Sequence, residues 1–199
     1  MQIFKCSFPA ILFLAALPAL QGSTIFTLNQ SGCCGTGPFG TVELTQVNST
    51  TVHILETLNS GDKFVKTGAG QALQFNVSGT IAIANLTSGF AAGAAGDSAP
   101  PFGNFLHYIS CSGCGPGASS PLTGPLSFDV TRASGLLISD FTANSGGYYF
   151  ASDIIAGAGG PTGNVAANSF SNAVPEPTSL SLLGAAMLGL GLLRRRYSA

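Results

Sequence analysis

Charge is scarce in this chain. Only 8% of its 199 residues are Asp, Glu, Lys or Arg, about a third of the share usual in soluble globular proteins. Four of the seven cations, Lys5 with Arg194, Arg195 and Arg196, lie near the two ends. The middle keeps Lys63, Lys66 and Arg132 against Glu43, Glu56, Asp62, Asp97, Asp129, Asp140 and Asp153, three cations against seven carboxylates for a net of −4. With no basic patch to gather phosphates, a nucleic-acid partner is excluded.

Histidine is scarcer still, at two residues. His53 and His107 each sit inside a strand-like run and read as strand histidines. A hydrolytic triad also needs a positioned nucleophile, and no GxSxG elbow marks a serine. The carboxylates are scattered, not bunched as in a calcium loop. Convergence of Glu43 with Glu56, or of Asp129 with Asp140, would be needed for a glycosidase-like pair. Calcium bound by sandwich loops would draw on Asp62, Asp97 or Asp153. Nothing in the spacing selects either, and the chain shows neither an amphipathic helical period nor a short repeat.

What is present begins with two end segments. Lys5 precedes an apolar run from Phe8 to Leu20, and small residues follow near Ala19 and Gly22. That is the pattern of a secretory signal peptide, and residues 1–22 are assigned to it. At the other end, Val174-Pro175-Glu176-Pro177 is extended and helix-incompatible. An uncharged, Leu-rich stretch follows up to Arg194, long enough for a helix of roughly 24 Å, short of a ~30 Å hydrocarbon core. Snorkelling of Arg194, Arg195 and Arg196 and local thinning would close the gap. By the positive-inside rule the arginines stay cytoplasmic and the preceding domain faces outward.

The order of Val174, Pro175, Glu176 and Pro177, then the apolar stretch, then Arg194–Arg196, resembles the bacterial PEP-CTERM sorting signal, here residues 173–199. The resemblance implies handling by an exosortase-type membrane protease, anchorage in the inner membrane before processing, and an association with exopolysaccharide and matrix assembly. It says nothing about the activity of the cargo.

Residues 23–172 have the period of strands. Leu73, Phe75 and Val77 alternate with Gln74, Asn76 and Ser78; Leu126, Phe128 and Val130 alternate with Ser127, Asp129 and Thr131. Such runs put one face in a core and the other in water. Further strands are expected over Thr24–Asn29, Thr41–Val47, Thr51–Leu58, Asn104–Ser110, Leu136–Phe141, Tyr148–Ile155 and Asn164–Phe170, separated by Gly/Asn/Ser turns. The fold class is therefore all-β, an antiparallel β-sandwich or jelly-roll-like domain. LQFNVS leading to IAIANLT, and LSFDVT leading to LLISDFT, predict two hairpins of similar design. Phe90–Pro101 and Gly113–Pro125 read as surface loops.

With Cys6 inside the signal segment, Cys33, Cys34, Cys111 and Cys114 remain. Four cysteines in an exported chain are most simply two disulfides, with three connectivities. A bond between adjacent residues is strained, which favours cross-bridges from 33/34 to 111/114; closing so long a loop would add up to about 4 kcal/mol. Cys111–Cys114 also has zinc-ligand or redox spacing, but Cys33-Cys34 does not match a knuckle, and no helix start lowers a thiol pKa. The sequons at Asn29, Asn48, Asn76 and Asn85 are treated as chance. Tyr108, Tyr148 and Tyr149 could stack on sugar rings or pack in the core.

Together these readings describe an exported surface or matrix protein of structural or interaction role, with no catalytic site and no cofactor. A carbohydrate-binding module is the alternative, and a weak polysaccharide hydrolase the third.

Overall fold

The computed structural model describes residues 22–68, 70–94 and 96–173. The expected signal peptide, the Val174–Pro177 motif and the Arg194–Arg196 cluster lie outside the described residues. Among those described, no helix is long and apolar enough to cross a membrane.

Among the described residues sixteen strands follow one another: β1 (Ser23–Thr27), β2 (Gln30–Ser31), β3 (Gly40–Asn48), β4 (Thr51–Leu58), β5 (Lys63–Lys66), β6 (Leu73–Phe75), β7 (Ala82–Ala84) and β8 (Ala91–Ala92). After these come β9 (Asp97–Ser98), β10 (Asn104–Phe105), β11 (His107–Ser110), β12 (Gly117–Leu122), β13 (Leu126–Thr131), β14 (Phe150–Ile155), β15 (Thr162–Ala167) and β16 (Phe170–Ala173). The fold is all-β and antiparallel throughout, as expected.

The first sheet runs β16-β1-β3-β4-β13-β7. Its central strands alternate: Val52, Ile54 and Glu56 point inward from β4 while Thr51, His53 and Leu55 point outward, and β13 does the same. The second sheet runs β12-β5-β14-β6-β11-β8, with β15 and then β2 added on the other edge of β14. Phe26, Val42, Leu44, Ile54 and Phe128 of the first sheet and Phe64, Leu73, Phe75, Phe150 and Val165 of the second form one continuous core. Rings meet across it, Phe26 on Phe150 at 4.9 Å and Phe75 on Phe128 at 6.0 Å. Each large side chain so buried stabilises the sandwich by ~1.5–3 kcal/mol relative to exposure.

The second sheet departs from the sequence expectation because its outer face is covered too. Every residue of β14 is buried, and Gln74, expected to face water, is fully buried. The cover runs from the end of the stretch expected to be a surface loop into the start of the strand expected over Asn104–Ser110. Ala99, Phe102 and Phe105 pack on Ala151 and Ala166 with Tyr148 against them, a second small core. Small side chains at 151 and 166 leave room for the two phenylalanine rings. The stretch expected as a loop over Gly113–Pro125 contains β12, whose Pro121 is tolerated because β12 is an edge strand bonded only to β5.

Two expected hairpins are absent. β6 belongs to the second sheet and β7 to the first, and the segment after β13 forms no strand. Ile138–Asp140 is instead a single 3-10 turn. Side chains take over the backbone there: Gln46 Nε2 donates to Leu136 O (2.7 Å), Ile138 N donates to Gln46 Oε1 (3.1 Å), and Leu137 N donates to Asp140 Oδ2 (2.9 Å). Local side-chain bonds of this kind offer the chain an alternative to a ladder.

The disulfides are Cys33–Cys34 and Cys111–Cys114, not the expected cross-bridges. Cys33 and Cys34 follow β2, their amides donating to Ser31 Oγ, and Cys34 Sγ lies 3.4 Å from Pro161 O. Cys114 Sγ lies 3.4 Å from Phe64 O on β5. Strands β15 and β14 stand between these two places, so the pairs never meet. Strain in an adjacent pair cannot redirect a bond to a partner on the other side of the sheet.

Candidate functional site

The open edge of the sandwich holds a cleft. β16 pairs with β1 so that Phe170 lies opposite Phe26, Asn172 opposite Thr24 and Ala173 opposite Ser23. The inward side chains of that ladder face the 138–143 segment and Tyr149, enclosing about 470 Å³ lined by Thr24, Phe26, Phe141, Tyr149, Phe170 and Asn172 among others. Three rings meet there, Phe26 with Tyr149 at 5.1 Å, Phe26 with Phe170 at 5.3 Å and Tyr149 with Phe170 at 5.7 Å. Phe26 is the buried floor, whereas Phe170 is 50% exposed at the rim. Of the tyrosines singled out for sugar stacking, only Tyr149 reaches this cleft. Tyr148 packs edge-on to Phe102 at 4.9 Å, and Tyr108 lies over Gly93, where an added Cβ would meet its ring.

A second constellation was not legible in the sequence. On the outer face of the first sheet, His53 of β4 lies opposite Asp129 of β13. Its Nδ1 is 2.7 Å from Asp129 Oδ1, its Nε2 is 3.3 Å from Ser127 Oγ, and Asn85 Nδ2 donates to Asp129 Oδ2 at 2.6 Å. The order of atoms is that of a serine hydrolase. The setting differs: Ser127 is mid-strand, its N–H is given to Thr87 Oγ1 (2.9 Å), and β13 is bonded on both sides. Developing charge on an attacked carbonyl needs donors aimed at it, and ladder amides are already spent. Partial burial pushes the Asp129 carboxyl up, but the hydrogen bonds from His53 and Asn85 and the His53 charge outweigh it and hold the group below its ordinary value. The cluster fixes a carboxylate on a sheet face.

The carboxylate pairs weighed for glycosidase chemistry do not form. Glu43 points outward from β3 while Glu56 points inward from β4. Asp129 is taken by His53 and Asn85, and Asp140 by Arg132. The residues weighed for calcium are likewise separate. Asp62 accepts from Gly157 N, Asp97 from Gln71 Nε2, and Asp153 from the amide and hydroxyl of Thr67. Among the described residues, no group of three His, Cys, Asp or Glu is placed to hold a metal ion.

Two carboxyls are buried outright. Burial pushes Asp153 up, with the Thr67 bonds pulling the other way. Glu56 sits inside the main core, fully buried, with neither oxygen hydrogen-bonded among the described residues. Burial raises its pKa well above the ordinary carboxylate value; the nearby Ser152 hydroxyl pulls it down but donates to Ala72 O (2.8 Å).

The ladder between β1 and β16 also fixes where the chain enters and leaves: the last described residue, Ala173, pairs with Ser23. No curated protein and no solved structure matches the chain. Residues 173–196, starting on the final residue of β16, match the family model of the PEP-CTERM protein-sorting motif. The chain therefore joins an all-β body, at its closing edge strand, to a PEP-CTERM protein-sorting motif.

Proposed function

We propose that this is an exported protein displayed at the cell surface or in the extracellular matrix, with a structural or interaction role and no catalysis of its own. The observation that carries the reading is the pairing of Ser23 with Ala173, with the sorting motif beginning at that same residue. Both flanking segments, 1–22 and 173–199, join the sandwich at one end of one ladder. A domain held through either segment is therefore presented in the same orientation to the membrane. An exosortase-type membrane protease acting at Pro175-Glu176-Pro177 would meet its substrate two residues beyond the ladder. β16 is an edge strand bonded only to β1, so its end can peel without breaking the core. The inner membrane is the first location, and the surface or medium, with exopolysaccharide as a neighbour, the second.

The test is the intact mass and location of the protein after substituting Pro175, Glu176 and Pro177 by alanine. Wild type is expected to be recovered without its C-terminal segment, and the variant as a longer, membrane-held form. Identical masses and locations for the two would overturn the reading.

A further inference from the structure

We infer that the cleft between β1, β16 and Tyr149 is a binding site for a neutral saccharide. This rests on the interaction role proposed above and names the ligand class for it. None of the residues that line the cleft is charged. Its volume of about 470 Å³ falls in the range of small-ligand pockets, ~300–1,000 Å³. A ligand carrying full charge would lose its hydration there and find no counter-charge, so ionic ligands are disfavoured.

Two features separate a sugar from a purely apolar occupant. The first is the pair of partly exposed rings. Tyr149 and Phe170 stand at 85° to each other with centroids 5.7 Å apart, forming a corner above the buried Phe26. An aromatic face of this kind accepts the C–H face of a pyranose. The second is the ring of neutral polar groups beside those faces. Among the described residues, the hydroxyls of Ser139, Thr142 and Tyr149 make no hydrogen bond to protein, and Thr24 Oγ1 and Asn172 Oδ1 share one long contact of 3.3 Å. A saccharide presents C–H faces and a belt of hydroxyls together, which matches faces and donors placed side by side. An acyl chain would leave these polar groups without partners.

The experiment uses the full chain held in an amine-oxide detergent, which carries no sugar headgroup. The probes are neutral tetrasaccharides of glucose, mannose and galactose, an oligogalacturonate of equal length, and a fluorescent fatty acid, followed by saturation-transfer NMR and calorimetry. Saturable binding of at least one neutral tetrasaccharide is expected. That affinity should fall at least tenfold in Tyr149→Ala and in Phe170→Ala, and stay unchanged in Tyr148→Ala. Phe170 is exposed, so that variant keeps the fold, which circular dichroism checks. Binding of only the acidic sugar or only the fatty acid would overturn the inference, as would no binding at all, or neutral-sugar binding that survives both substitutions. The processing assay above reads the display role separately, so either can fail without the other.

Discussion

The two sheets of the sandwich are built to different rules. The first keeps one face in the core and one in water. Thr41, Glu43, Thr45, Thr51, His53, Ser127 and Asp129 line its outer side and are only partly buried, and β4 and β13 alternate residue by residue. The second is closed on both sides, with the aromatic core beneath it and the Ala99–Phe105 segment above. Polar residues on its outer side are consequently buried, and they pay in unmet hydrogen bonds: both amide atoms of Gln74, Nδ2 of Asn76 and Oδ1 of Asn164 have no partner among the described residues. A solvated face tolerates polar residues at little cost. A covered one makes each of them a fixed constraint on structure.

The contrast is sharpest for a charge placed on each outer face. Ala151→Asp, on β14 beneath Phe102, should lose about 3–5 kcal/mol of stability, the cost of an unpaired buried charge. Thr41→Asp on the open face of β3 should lose no more than about 1 kcal/mol. Urea unfolding of the two variants measures both, and equal losses would mean that the 96–105 cover is not closed in solution.

Glu56 makes the next test, since it places a carboxyl on the covered side of the open sheet. Its folded pKa is raised, so the native state holds the proton longer than the unfolded chain. The associated stability is complete below the unfolded carboxyl value and is lost as pH rises through the folded value. Glu56→Leu removes that dependence and the two unmet acceptors, and should raise stability by about 1–3 kcal/mol at pH 8, with a smaller gain at pH 4. Melting temperatures of both proteins from pH 4 to 9 read this out, and parallel curves would show that Glu56 is not protonated in the core.

The disulfides distinguish the two edges of the second sheet. Each closes a very short loop, so serine replacement of either pair should cost about 2 kcal/mol or less, against the 4 expected for bridges spanning the domain. Peptide mapping without reduction should yield Cys33–Cys34 and Cys111–Cys114 each within a single peptide. The smallest effect belongs to the open face. Ser127→Ala should change stability by no more than about 0.5 kcal/mol, and the wild-type serine should resist a fluorophosphonate probe. Labelling of Ser127 that disappears in His53→Ala would reveal a working nucleophile on that face.

How much could be read in advance follows the same division. β4 and β13 were expected over the residues they occupy, because one face of that sheet is wet and period two survives in the sequence. β5 was not anticipated and β6 was expected with Gln74 in water, because a strand buried on both faces carries no such alternation. The Ala/Gly/Pro-rich 90–101 stretch has the composition of a loop; only Phe102 and Phe105 just beyond it carry the apolar weight that turns it into a cover. The Ser127–His53–Asp129 cluster was invisible because its members come from strands more than 70 residues apart. The cleft was half-visible: Tyr149 was singled out, but nothing local to it announced Phe26 and Phe170.

What the amino-acid order determined by itself is what acts locally. The sorting motif is a contiguous string, and the strand class follows from a repeat of two residues. Tertiary structure decided everything that depends on which strand lies beside which: the disulfide partners, the burial of Gln74 and Glu56, and the pairing of Ser23 with Ala173 that brings the first and last strands of the described body to one edge. The reason is physical. Periodicity records which way a side chain points, but strand order is settled by summing apolar contacts and backbone hydrogen bonds over the whole chain, and no short window contains that sum.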